Sequence, residues 1–162
     1  MIKRICFFSI PFLMAACVTY HDPRPLAEQQ MALSSATNKL SGDYEVIESR
    51  NNKYGGYAHI SVSSDGNTFV VSLQSPVHGT WKFQGTECHG YDSVEHGFID
   101  VMCDQRGGDI NYFSIGQQKS GRIVKDGAMI PSFEPMQVSG DEYLLDIGMR
   151  GGRSYYYRLK KQ

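Results

Sequence analysis

From Gly42 onward the apolar residues recur at every second position. GDYEVIES (42–49), GYAHISVS (56–63), NTFVVSL (67–73) and GTWKFQ (79–84) follow one another. GFIDVMC (97–103), DINYFSI (109–115), GRIVK (121–125), DEYLLDIG (141–148) and RSYYYRLKK (153–161) continue the series. A period of two places alternate side chains on opposite faces of an extended strand, so the stretch reads as half-buried sheet rather than helix. Turn formers stand between the segments: Ser64-Asp65-Gly66-Asn67, and Gly-Gly pairs at 55–56, 107–108 and 151–152 that permit a tight hairpin. About eight to ten short strands at this spacing predict a mainly β fold, a small antiparallel barrel or sandwich.

Leu26 to Leu40 breaks that period. Leu26, Leu33 and Leu40 stand seven residues apart with Ala36 between them, Pro25 suits a first helical turn, and Gly42 suits a stop. The spacing predicts one N-terminal helix with a narrow apolar stripe, leaning on the flank of a single β-rich domain over 26–162.

The chain begins differently. Lys3 and Arg4 precede the uncharged run ICFFSIPFLMAA (5–16), which has the length of a signal-peptide core and falls short of the roughly 20 apolar residues of a membrane span. Met14-Ala15-Ala16-Cys17 closes that run and resembles the lipobox of bacterial lipoproteins, with Met14 where leucine is usual. The resemblance implies that residues 1–16 are a signal peptide, that Cys17 becomes the acylated first residue, and that 17–25 form a short tether. Val18, rather than aspartate, follows the cysteine, which implies the outer membrane of a Gram-negative bacterium. Stable anchoring needs more than one acyl chain, at ~0.8 kcal/mol per buried methylene.

On that reading Cys6 leaves with the signal and Cys17 carries lipid. Cys88 and Cys103 remain as a disulfide pair in an oxidising compartment, contributing on the order of 3 kcal/mol by restricting the unfolded chain. Removing residues 1–16 takes away two positive charges and no acidic residue, so the formal net charge moves from -1 to -3. A mildly acidic chain lacks the basic footprint of a nucleic-acid binder, and the two Arg-Gly-Gly triplets at 106–108 and 150–152 read as turns between strands.

Candidate contact residues fall in two places. His89, Tyr91, Asp92, Glu95 and His96 lie in CHGYDSVEHGFIDVMC (88–103), read as a strand end, a polar loop over about Gly90 to Gly97, and a second strand. Loops held by rigid sheets commonly carry binding. Arg150, Arg153, Tyr156 and Arg158 belong to a basic C-terminal segment in which Tyr155, Tyr157 and Leu159 face inward and Tyr156, Arg158 and Lys160 outward. His89, Asp92, Glu95 and His96 do not match a metal-ligand spacing, and Cys88 and His89 would point to opposite faces, so no metal or cofactor is expected. No nucleophile elbow, phosphate loop or H-E-x-x-H sequence is present.

The expected function is therefore non-catalytic: a lipid-anchored envelope protein that binds a macromolecular partner, protein or glycan, as an assembly component or an inhibitor. The alternative is a carrier. Gly42-Asp43-Tyr44 is similar to the Gly-x-Trp start of lipocalins, with Tyr44 in the tryptophan's place, over three residues only. That resemblance implies an interior pocket for an apolar ligand, which Tyr44, Phe69, Trp81, Phe98 and Phe113 would line.

Overall fold

The computed structural model describes residues 22–51, 57–65, 68–77, 79–85, 87–105, 108–126 and 132–162. The expected signal segment, Cys17, the start of the expected tether, His78, Arg106 and the glycines expected to turn the chain, Gly55, Gly56, Gly66 and Gly107, lie outside them. Helix α1 (Leu26–Leu40) leads into β1 (Gly42–Arg50), β2 (His59–Asp65), β3 (Thr68–Ser75) and β4 (Gly79–Gly85). Then come β5 (Glu87–Ser93), β6 (Phe98–Asp104), β7 (Ile110–Gln118), β8 (Arg122–Val124), β9 (Met136–Val138), β10 (Tyr143–Met149) and β11 (Ser154–Lys161). The period-two segments thus become strands. The three-residue β9 was not foreseen, being too short to show a period.

Nine strands form one antiparallel sheet in the order β4-β3-β2-β1-β11-β10-β7-β6-β5, and β8 pairs with β9 apart from it. Two meanders are joined where β1 pairs with β11, from Tyr44 opposite Lys161 to Arg50 opposite Tyr156. The two edge strands, β4 and β5, are separated in the chain by residue 86 alone, so the sheet curls until its edges meet and a nearly closed barrel results. Eight antiparallel steps lead from β4 round to β5. That even number makes the two strands run the same way, so they cannot close the barrel as an antiparallel pair.

The corner between them is Gly85. A Cβ there would collide with Cys103 Cβ and lie 2.8 Å from Cys103 Sγ, so only glycine lets β4 seat on the disulfide. Cys88 and Cys103 are bonded directly across β5 and β6, as the sequence predicts, with Cα atoms 4.0 Å apart. Alternation on β11 also holds: Tyr155, Tyr157 and Leu159 are buried, whereas Tyr156, Arg158 and Lys160 face out.

One core fills the barrel, with Tyr44, Phe69, Leu73, Phe113, Ile115 and Tyr157 among its fully buried side chains. A second, smaller core lies outside it, where β8 and β9 cover β10: Val124, Met136 and Val138 pack on Leu144, and Phe133 on Tyr156 at 5.6 Å. Among the described residues no helix is long and apolar enough to cross a membrane.

Helix α1 has the predicted bounds but different ends. Pro25 stands just before the first turn and its carbonyl accepts from the Glu28 and Gln29 N–H groups at 2.9 and 3.0 Å. At the C-terminus Ser41 is extended and Gly42 already belongs to β1, so no glycine cap forms. The last carbonyls bond instead to the domain: Leu40 O to Tyr44 Oη at 2.6 Å and Lys39 O to Lys161 Nζ at 2.7 Å. Leu33, Ala36 and Leu40 face the sheet, while Leu26, two turns before Leu33, is 74% exposed.

Candidate functional site

On either side of the Gly85 corner the sheet edges diverge, leaving two gaps in the barrel wall. Helix α1 occupies the first, leaving a pocket of about 550 Å³ beside Leu33, Thr37, Phe69 and Cys88. It packs on β5, β6 and β2, and it comes so close to Gly90 that a Cβ there would collide with the Leu33 backbone, 2.8 Å from its nitrogen. Gly90 lies opposite Val101 and shares the face that carries Cys88 and Cys103, so the helix covers the concave side of β5. Ahead of it, Arg24 pairs with Asp22 at 2.6 Å, donates to Gly90 O at 2.9 Å and lies 4.6 Å over the Tyr91 ring. Those bonds from Arg24 hold the Asp22 carboxyl down at about 2.

Among the described residues no element occupies the second gap. It is a cleft of about 730 Å³ between β4 and the segment that links β6 to β7. Trp81, the chain's one tryptophan, and Phe83 form its floor with Tyr57, Ile110 and Met149. Trp81 packs on Phe83 at 5.2 Å and Phe83 on Phe113 at 4.9 Å, so the floor is continuous with the core. Lys82, Gln84 and Asp109 are exposed at the rim.

The wall of this cleft is a strand edge with unpaired backbone. Gln105 Nε2 donates to Gln84 O across the cleft at 2.6 Å, so the Gln84 carbonyl points away from β3. The Ala58 N–H bonds to Gln74 O at 3.2 Å, which turns Gln74 toward β2 and leaves its partner Thr80 facing outward. Backbone groups alternate sides along a strand, so the N–H and C=O of both Thr80 and Lys82 lie on the open edge. No described group bonds to them.

The residues singled out from sequence are dispersed. The expected loop from Gly90 to Gly97 is a correction: β5 continues through Ser93, each residue paired with β6, and the turn is Val94 to Gly97. Gly90 is a strand residue, and its missing side chain admits the helix. Asp92 bonds to Ser35 at 2.6 Å and to Lys39 at 2.5 Å, bonds that lower its pKa. His89 and Tyr91 are half-buried on β5, and Glu95 and His96 stand exposed in the turn. Tyr156 is covered by Phe133, and Arg158 lies 3.1 Å from Glu48 and donates to Gln137 O at 3.0 Å. Arg150 and Arg153 are exposed, and the Arg150 N–H bonds to Asp109 O at 2.8 Å, which sets their turn beside the cleft.

Sequence reading missed a second feature. Asp100 and Asp146 lie on the outer face of the sheet near Arg122 of β8. Burial raises Asp100 to about 7, against the pull of Arg122 and with the Asp146 charge adding to it, and burial raises Asp146 to about 6. Tyr112 Oη donates to Asp146 Oδ2 at 3.2 Å, whereas Asp146 Oδ1 is buried without a hydrogen-bond partner. Gly116 lies opposite Asp100, and a Cβ there would stand 2.5 Å from Asp100 Oδ1. Alternation alone marks both aspartates as outward; what it cannot show is that β8 folds back over them. Among the described residues no group of three or more histidine, cysteine or acidic side chains is arranged to hold a metal.

No protein-family model matches the chain, and no curated protein matches it either.

Proposed function

We propose that the protein is a non-catalytic binding module, tethered to the outer membrane through an acylated Cys17, whose site for a macromolecular envelope partner is the cleft beside β4. The observation that carries this reading is the unequal treatment of the two gaps: one is occupied by α1, and the other keeps an aromatic floor and an unpaired strand edge open to solvent. The carrier alternative finds less support, because Tyr44, Phe69 and Phe113 lie against other core side chains, Trp81 floors the open cleft, and Phe98, expected inside, stands with Asp100 on the outer face of β6. Phe69 stacks on Phe113 at 6.3 Å, and Tyr44, Phe69 and Phe113 are buried to 1% exposure or less.

The test is site-specific photo-cross-linking in cells. A photoreactive residue at Lys82 is expected to give one discrete adduct that the same residue at Glu45, three strands away on β1, does not. Equal labelling from both positions would contradict the reading. Metabolic labelling with palmitate tests the tether, and a Cys17→Ser variant is expected to lose the label and leave the membrane fraction.

A further inference from the structure

Resting on that reading, we infer that the cleft receives an extended peptide segment of the partner, which adds to β4 as a further strand and alternates apolar with acidic side chains. Three observations converge on this chemistry. The N–H and C=O of Thr80 and Lys82 present donor, acceptor, donor, acceptor along one edge at strand spacing, a pattern that another extended backbone satisfies in full. From Thr80 to Gln84 is four rises of ~3.4 Å, so about five residues of an added strand fit alongside.

The direction follows from the sheet. β4 already pairs antiparallel with β3, so an added strand that runs antiparallel to β4 continues the alternation of the sheet. Its side chains alternate. Those turned inward meet Trp81, Phe83 and Met149, which calls for apolar residues. Those turned outward meet Lys82, and beyond the strand's end Arg150 and Arg153, against Asp109, the one acidic rim residue among those described. That excess of positive charge selects acidic residues there. An unpaired edge of this length is elsewhere an aggregation hazard, which Lys82 and the inset of the cleft reduce.

Trp81 is the chain's one tryptophan, so its fluorescence reports this cleft and nothing else. The probe is a capped hexapeptide of sequence Glu-Val-Glu-Phe-Glu-Val, titrated against the full chain in detergent. It is expected to shift the Trp81 emission in a saturable way and to slow amide exchange at Thr80 and Lys82. The same peptide N-methylated at alternate backbone nitrogens keeps its side chains but cannot pair, and it is expected to bind at least roughly tenfold more weakly. A Lys-for-Glu version is expected to bind more weakly as well, with the difference fading at high salt.

Equal binding of the methylated and unmethylated peptides, or no response to the parent peptide at millimolar concentration, would overturn strand addition. A response to an acidic oligosaccharide in place of the peptide would also overturn it, and would replace the peptide by a glycan. A discrete adduct from Lys82 in cells alongside any of these outcomes leaves the cleft as the binding site, so the two readings fail separately.

Discussion

Asp100 sits on the outer face of β6 near β8, and its carboxyl titrates at about 7 because burial penalises the charged form more than Arg122 relieves it. A group raised from 3.8 to about 7 in the folded state binds a proton there that the unfolded chain has released. Stability is therefore undiminished below about pH 4 and falls as pH rises toward 7, by up to ~4 kcal/mol for this residue. Asp146, raised to about 6, acts in the same sense over a narrower window. Asp22 and Asp92 are lowered and act in the opposite sense, only as pH drops through their acidic range. Denaturant unfolding across this range should show greatest stability near pH 4 to 5. An Asp100→Asn variant should lose most of the decline toward neutrality, and an unchanged slope would show that Asp100 is not the group responsible. At Gly90 the neighbour of any added Cβ is the backbone at Leu33, which cannot swing aside as a side chain can. Gly90→Ala is expected to cost about 1–3 kcal/mol by pushing α1 off the sheet, read as a lower melting temperature.

Helix α1 is held at both ends and in the middle. The Pro25 carbonyl and Arg24 fix its start, Asp92 takes Ser35 and Lys39, and Tyr44 and Lys161 take the final carbonyls. Because Lys39 is half-exposed, Asp92→Ala should cost only about 1 kcal/mol, most of it from the Ser35 bond and the remainder from the ion pair. Paired Cys88→Ser and Cys103→Ser substitutions should cost about 3 kcal/mol in chemical denaturation, since the bridge closes a 15-residue separation and supports the Gly85 corner. Most strands, the helix bounds, the inward set on β11 and the disulfide were legible from sequence, because each rests on local periodicity or on elimination among four cysteines, whereas β9 is too short to show a period and the polar β5 looks like a loop. Gly90 was misread, as a glycine in a polar stretch looks the same whether it turns the chain or admits a helix. Tyr156 and Arg158 were rightly placed outside the barrel, yet their cover comes from a segment some twenty residues away, which no local pattern reveals.

At the scale of the molecule, the design follows from parity. An antiparallel sheet of nine strands rolled into a barrel leaves one seam where neighbours run the same way, and here the chain itself crosses that seam at Gly85. The crossing divides the seam in two, one half occupied by α1 and the other left as the cleft that holds Trp81. Sequence reading put Trp81 with the interior rings, correctly for its packing on Phe83, but had no means to find the seam, which depends on long-range strand order. Amide hydrogen exchange along β4 in the free protein addresses that seam directly. Thr80 and Lys82 should exchange fast and Trp81 and Phe83 slowly, an alternation with the period of the strand. Uniform protection from residue 80 to 83 would mean that this edge is already paired, and that no open site exists beside β4.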